Sequence, residues 1–231
     1  MRIEVGIKDV LVSMQITLGV LALFTSTSVG AWAEPSLKTD GSLRTAPAGD
    51  DRARPFKVIR GSSPVSGPGP RKRFIVEIEK RMDRGGRDFA EEVEKILYSD
   101  RSWGGNGRMG MRKVDSGPVA FRVTLARPRT VDRYCAPLQT NGIYSCWNGS
   151  RAMINAMRWR RGAESYNWAN QLKRYRRYLI YHEVGHGLGH NHRGCPRRGV
   201  KAPVMMQQTK GVYPCKRNPW PRRFERGPAP D

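Results

Sequence analysis

The feature that most constrains this chain is a cluster of histidines between residues 182 and 192. The chain has four histidines in 231 residues, and all four lie in the stretch HEVGHGLGHNH. Residues four apart lie above one another on one face of an α-helix, so His182 and His186 are predicted to direct their imidazoles at one point. Because zinc accepts neutral imidazole nitrogens, this spacing predicts a zinc site.

A third ligand is needed, and helix geometry chooses between the two remaining histidines. If the helix continued, His190 would lie about 12 Å along its axis from His182, too far to share an ion. Gly189 can adopt the positive φ that lets a helix end and the chain reverse. We therefore predict that His192 returns to complete a three-histidine site, and that His190 is a bystander.

Glu183 follows the first predicted ligand directly. A carboxylate beside an open metal position can accept a proton from water bound to the metal, so Glu183 is the candidate general base. This interpretation requires one catalytic zinc ion. The ion is expected to be lost below about pH 6, where ordinary imidazoles take up protons.

The stretch also matches, position by position, the zinc signature H-E-x-x-H-x-x-G-x-x-H of the metzincin peptidases. This resemblance implies the same roles: His182, His186 and His192 as ligands, Glu183 as general base and Gly189 as turn glycine. Metzincins also place a methionine-containing turn under the metal. By resemblance, Met205 or Met206 would fill that position, and Met205 is preferred because it follows Pro203 and Val204.

A longer region resembles one group of proteins in particular. Residues 178–192, the loop from Cys195 to Cys215 and the stretch from Ala202 to Thr209 are similar to the secreted actinobacterial proteins grouped as domain of unknown function 3152, which are metzincin-like. The resemblance covers roughly residues 74–221. It implies a zinc peptidase domain, but it implies no substrate.

The N-terminal 73 residues are predicted to precede the folded domain. Residues 1–33 have a basic start, an apolar run and the sequence Ala31-Trp32-Ala33, which is typical of a cleaved secretory signal peptide. An uncleaved membrane anchor is the alternative. Residues 34–73 are rich in Pro, Gly, Ser and charge, so we predict a flexible linker, with an inhibitory pro-segment as the alternative.

Residues 74–221 are predicted to form one α+β domain of zincin or metzincin type, in which a small twisted mixed sheet packs on a long active-site helix. Residues 222–231 are predicted to be a disordered basic tail. Hydrophobic periodicity and turn residues predict strands at 74–79, 119–125 and 152–159, helices at about 88–98 and from about 170 through His186, and a hairpin turn at Asn141-Gly142.

Four cysteines behind a signal peptide predict two disulfides, for which the sequence permits three pairings. We choose Cys135 with Cys146 and Cys195 with Cys215, because each pair closes a short local loop. The second would hold the methionine segment to the end of the histidine stretch and staple the C-terminal part of the domain. No C-x-x-C pair is present, so a cysteine zinc site is poorly supported.

The net charge is +22. Such a field attracts anionic cell-envelope polymers or lipid headgroups in a salt-dependent way. The arginines form no recognisable nucleic-acid motif and secretion argues against a genomic target, so no specific nucleic-acid partner is predicted. A monomer is expected.

Two functional hypotheses follow. The first is a secreted zinc-dependent endopeptidase that hydrolyses peptide bonds with a zinc-bound water activated by Glu183. The second is a non-catalytic basic protein that binds the cell envelope or another polyanion, with an idle or structural metal. The intact Glu183 favours the enzyme, because a structural zinc site has no use for a base beside an open position.

Overall fold

The computed structural model describes residues 55–82 and 85–227. The predicted signal peptide and residues 34–54 of the predicted linker lie outside this part of the chain. None of the helices in the described ranges is both long and apolar enough to cross a membrane.

The described residues form an α+β fold with a mixed sheet, as predicted. The strands are β1 (Phe56–Val58), β2 (Arg71–Glu79), β3 (Gly110–Lys113), β4 (Phe121–Ala126), β5 (Cys146–Trp147) and β6 (Arg151–Asn155). The helices are α1 (Gly86–Leu97), α2 (Pro128–Cys135), α3 (Ala156–Arg161) and α4 (Leu172–Gly187), with two short 3-10 helices before α4.

The strands lie in the order β1-β2-β4-β6-β5, and β3 also pairs with β2. The central strands β2, β4 and β6 are parallel, whereas the terminal strands β1 and β5 run antiparallel to their neighbours. Parallel neighbours require crossover connections, which α1 and α2 supply. The arrangement leaves β5 as an edge strand beside α4.

The main hydrophobic core lies between one face of the sheet and the helices α1 and α4. Phe74, Val76 and Ile78 of β2 are all buried there. The opposite face of β2 is also covered, and buries the carboxylate of Glu77. Glu77 pairs with Arg122, accepts a hydrogen bond from Thr124 at 2.9 Å and lies 3.1 Å from Arg151.

Two predicted elements need correction in part. The predicted strand 152–159 ends at Asn155, whose side chain accepts a hydrogen bond from the Met157 amide at 3.0 Å and so caps helix α3. The predicted hairpin around Asn141-Gly142 joins no pair of strands, because Cys135 ends helix α2. The turn itself is present, with φ of 53° at Asn141 and 67° at Gly142.

The predicted ends of the domain also need correction. Residues 55–73 were assigned to the flexible linker, but they contain β1 and the start of β2, and β1 pairs with β2 from Phe56↔Glu79 to Val58↔Glu77. Residues 222–227 were assigned to a disordered tail. Instead, Glu225 is 1% exposed and hydrogen-bonds to the segment after the histidines. Both ends of the described chain therefore belong to the fold.

Both predicted disulfides are confirmed. Cys135 pairs with Cys146, and Cys195 pairs with Cys215. The first joins α2 to the edge strand β5, and the second closes the loop that follows the histidine stretch. Disulfides of this kind are typical of extracellular or other oxidising environments.

Candidate metal centre

The histidine stretch ends helix α4 and turns back on it. Gly189 has a φ of 90°, and its amide donates to the His186 carbonyl at 3.0 Å. Beyond this turn the chain brings His192 back to the last turn of the helix. The structure thus gathers His182, His186 and His192, whose nearest ligand atoms all lie within 4.8 Å of one another.

Backbone carbonyls orient the two helical imidazoles. His182 Nδ1 lies 2.8 Å from the Val204 carbonyl, and His186 Nδ1 lies 2.8 Å from the His190 carbonyl. Because a carbonyl oxygen only accepts, each Nδ1 donates and each Nε2 is left with its lone pair. His186 Nε2 lies 3.1 Å from His192 Nε2. Two nitrogens bonded to one tetrahedral zinc at about 2.0–2.1 Å would have a similar separation.

The surroundings keep these imidazoles neutral. Burial, helped by neighbouring His186, lowers the pKa of His182 to about 3. Burial and the charge of His192 lower the pKa of His186 to about 4. The pKa of His192 is also lowered, by burial and by the cation of Lys210. Neutral imidazole is the form that binds a metal ion.

These pKa values change the expected pH dependence of metal binding. Three ordinary imidazoles would lower zinc affinity about 10⁴-fold between pH 7 and pH 5, at about 25-fold each. His182 and His186 stay unprotonated over this range because their pKa values are lowered to about 3 and about 4. We therefore expect zinc affinity to fall by less than about 25-fold between pH 7 and pH 5. Competition with a chromophoric chelator at both pH values measures this change. A 10⁴-fold loss would show that the imidazoles behave as solvent-exposed groups.

Glu183 lies on α4 beside the histidines and is 5% exposed. Burial raises the pKa of its carboxyl to about 8. A carboxyl whose pKa lies close to neutrality can both accept and release a proton. Glu183 and all three histidines line the same cleft.

Met205 packs directly against the part of α4 that carries His182 and His186. It is fully buried, whereas Met206 is only partly buried. A Cβ added to Gly185 would lie 2.4 Å from Met205 Sδ and 2.7 Å from Trp103 Cζ2. A side chain at Gly185 would therefore have to displace Met205 or Trp103. Of the two methionines, Met205 is therefore the one that packs against this turn of α4.

His190 lies apart from the other three histidines. Its ring stacks on Trp103 with centroids 4.3 Å apart and an interplanar angle of 14°. Its backbone still matters, because the His190 amide donates to the Gly185 carbonyl at 2.9 Å and its carbonyl holds His186. The side chain is therefore a packing group, and the backbone carbonyl orients His186.

Sequence reasoning missed Glu225. Its buried carboxylate accepts hydrogen bonds from the amides of Val204 at 2.9 Å, Met205 at 3.0 Å and Arg222 at 2.8 Å. Burial raises the pKa of Glu225, and these three amides offset part of that rise. The carboxylate thus fixes the backbone whose Val204 carbonyl orients His182. Nothing in the spacing of the chain marks a glutamate 33 residues after the last ligand for this position.

Changing Glu225→Ala is expected to lower the free energy of unfolding by about 3–5 kcal/mol, because each buried amide left without an acceptor costs about 1–3 kcal/mol. Urea unfolding with both disulfides intact measures this loss. The exposed Glu91 on α1 is the matched control, and Glu91→Ala should stay within about 0.5 kcal/mol. Equal stability of the two variants would show that Glu225 does not hold the methionine segment.

The cleft next to the histidines has a volume of about 330 Å³. Its walls come from residues 138–147, the inner face of α4 and the segment after Met206. A larger hollow of about 810 Å³ lies beside α1 and α3. None of the histidines lines that hollow, so the smaller cleft is the candidate site.

The edge strand β5 forms one rim of this cleft. The Asn148 amide donates to the Arg151 carbonyl at 3.1 Å, which closes a two-residue turn between β5 and β6. In an antiparallel pair, hydrogen-bonded and non-hydrogen-bonded positions alternate. Trp147, paired with Ala152, therefore directs its N–H and C=O away from β6. This open edge offers a donor and an acceptor beside the histidines.

Comparison with known proteins gives one family. The family model described as "Protein of unknown function (DUF3152)" matches residues 43–217. No curated protein and no solved structure shows a significant match to the chain.

Proposed function

Since this chain belongs to the DUF3152 family, whose description states no activity, we propose its function from the histidine centre: a zinc-dependent metallopeptidase that cleaves within peptide chains. The observation that carries the proposal is the convergence of His182, His186 and His192 beside the buried carboxyl of Glu183.

The donor set fits zinc. Three imidazole nitrogens without a carboxylate or thiolate ligand are a known catalytic zinc set, and they leave a further coordination position open. Zinc held there would act as a Lewis acid towards a substrate carbonyl and an attacking water. The Val204 carbonyl accepts a hydrogen bond from His182 Nδ1, and the His190 carbonyl accepts one from His186 Nδ1. These bonds favour the tautomer in which each Nε2 is free to bind the ion.

Glu183 supplies the proton transfers. Its carboxylate takes a proton from the water as the water attacks the peptide carbonyl, and the same carboxyl then gives this proton to the leaving amine. Burial raises the pKa of this carboxyl, which favours protonation and return of the proton to the amine. A zinc ion bound beside it would lower the pKa and favour the carboxylate that accepts the proton.

The edge of β5 is the proposed binding site for the peptide backbone. An extended peptide can add to an exposed sheet edge through main-chain hydrogen bonds. Trp147 directs its backbone N–H and C=O towards this open edge. Its ring packs closely on α4, since a Cβ added to Gly187 would lie 2.9 Å from the ring. A peptide bound along β5 would therefore pass over the end of α4 that carries the ligands.

We propose that the domain is metzincin-like, with Gly189 as the turn glycine and Met205 in the methionine turn. We also propose that the enzyme is secreted as a monomer and acts outside the cell or in its envelope. The two disulfides support an oxidising compartment, and the charge of +22 favours retention on anionic envelope polymers or lipid surfaces.

A peptide library tests this proposal. The protein lacking residues 1–33 is incubated with the library as purified, after removal of metal with a chelator, and after zinc is restored. We expect cleavage that disappears with the chelator and returns with zinc. Cleavage that survives complete removal of metal would contradict a zinc peptidase, as would zinc-loaded protein that cleaves nothing in a diverse library.

A further inference from the structure

We propose that Lys210 makes the cleft selective for a carboxylate on the substrate, close to the bond that is cleaved. This inference rests on the proposed peptidase function. It assigns to Lys210 the role of a specificity-determining residue, and to the substrate an acidic group that the ammonium recognises.

The charges that line the cleft are few. Its walls are mostly neutral, with hydroxyl and amide groups contributed by Gln139, Thr140, Ser145, Gln207 and Thr209. Glu183 is the acidic residue among the lining side chains, and it is buried beside the histidines. Lys210 is the only lysine or arginine among them. In a chain with 42 lysines and arginines, this cleft therefore holds a single permanent cation.

Lys210 reaches across the cleft. It lies on the segment that follows the methionines, which forms one wall, and its Nζ lies 5.3 Å from the ring centroid of Tyr144 on the opposite wall. The ammonium also donates to Gln207 Oε1 at 3.4 Å. Both partners are uncharged, and they hold the ammonium where a substrate side chain would enter.

The positive charge of Lys210 is not neutralised within the described residues, since none of their ion pairs includes it. An ammonium held by one amide oxygen and one aromatic face still has donors to offer. The neutral walls would accept many polar groups. Lys210 is exposed, so solvent weakens its ion pairs. The one cation still favours a carboxylate over its amide isostere, because a hydrogen bond between opposite charges is stronger than a neutral one.

The carboxylate has two possible sources, a glutamate or aspartate side chain and the C-terminus of the substrate. Binding by the Glu183→Gln protein loaded with zinc separates them without turnover. Fluorescent peptides of one composition carry a single glutamate at each position in turn, with an amidated C-terminus. Two further peptides have glutamine in place of glutamate, one with an amidated and one with a free C-terminus.

In fluorescence anisotropy at low salt, we expect one placement of the carboxylate to bind about three- to fivefold more tightly than its amide counterpart, and this preference to shrink as salt is added. The further change Lys210→Gln should abolish the preference. The further change Lys173→Gln removes the same charge from an exposed position of α4 and should keep it. A preference for a glutamate peptide identifies a side-chain carboxylate. A preference for the free C-terminus identifies the chain end, and would move the proposed cleavage from within the peptide to its C-terminal end.

No preference for any carboxylate placement, or the same preference in the Lys210→Gln and Lys173→Gln backgrounds, would overturn this role of Lys210. These binding results are independent of cleavage. If the acidic peptides bind through Lys210 and the protein with intact Glu183 cleaves none of them, the proposed peptidase function fails and the carboxylate site stands. If the intact protein cleaves peptides without regard to carboxylates, the function stands and the role of Lys210 fails.

Discussion

Changing Glu183→Ala is expected to reduce peptide cleavage by at least about 10²-fold while the protein keeps one zinc ion per chain, because loss of a general acid–base group typically costs about 10²–10⁴-fold in rate. Glu183 is not one of the three clustered ligand residues, so metal binding should not depend on it. Cleavage rates with zinc saturating, together with zinc content by elemental analysis, measure both effects on the same samples.

The matched control is Glu164→Ala, which removes an exposed glutamate at the start of a short 3-10 helix. This variant should cleave at the wild-type rate. Full activity in Glu183→Ala would remove Glu183 from the mechanism. Loss of zinc in that variant would instead mean that its carboxyl supports the metal site.

Changing His192→Ala is expected to remove zinc. Zinc sites in small domains bind with about 10–16 kcal/mol, so the loss of one ligand should lower the affinity by at least about 10²-fold. His192 is the ligand beyond the Gly189 turn, and its Nε2 lies 3.1 Å from that of His186. Competition against a chelator of known affinity measures the change.

His190→Ala is the matched control, since it removes an imidazole two residues away. Because the His190 ring packs on Trp103 and only its backbone carbonyl contacts a ligand, this variant should keep its zinc and lose some stability. Zinc lost from His190→Ala and retained by His192→Ala would mean that the two histidines have exchanged roles.

The parts of the site that follow from local geometry could be predicted from the sequence. The separation of His182 and His186 is one helical turn, and Gly189 is the residue that permits the reversal towards His192. The disulfides could be chosen because each closes a short loop, and Met205 was chosen by resemblance. All of these features lie within about 25 residues of their partners in the chain.

What the sequence did not reveal depends on contacts between distant residues. Glu225 supports the methionine segment through the backbone amides of Val204 and Met205. Any buried carboxylate within hydrogen-bonding distance of these amides could do so. The carbonyls of Val204 and His190 that orient the ligands are present in every residue and carry no sequence signal. The strand pattern predicts that Glu77 faces solvent. Glu77 is buried instead, because ion pairs with Arg122 and Arg151 compensate its charge.

The two predicted elements that needed correction also depend on contacts outside the local pattern. Residues 152–159 have apolar groups on both faces, which fits a buried strand and a short helix equally well, and the side-chain cap of Asn155 decides between them. The Asn141-Gly142 turn has the positive φ values that a hairpin would need. The preceding residues instead form α2, whose Asp132 accepts a hydrogen bond from the Gly142 amide at 2.7 Å. The turn is thus held by a helix rather than by a strand.

A zinc titration of the metal-free protein, with cleavage of a peptide followed at each addition, tests whether zinc at the three histidines drives peptide cleavage. We expect activity to rise in proportion to zinc and to reach its plateau at one ion per chain, and we expect the Glu183→Ala protein to bind the same single ion without gaining activity. Activity that is present before zinc is added, or a zinc-saturated wild-type protein no more active than Glu183→Ala, would rule out the zinc peptidase.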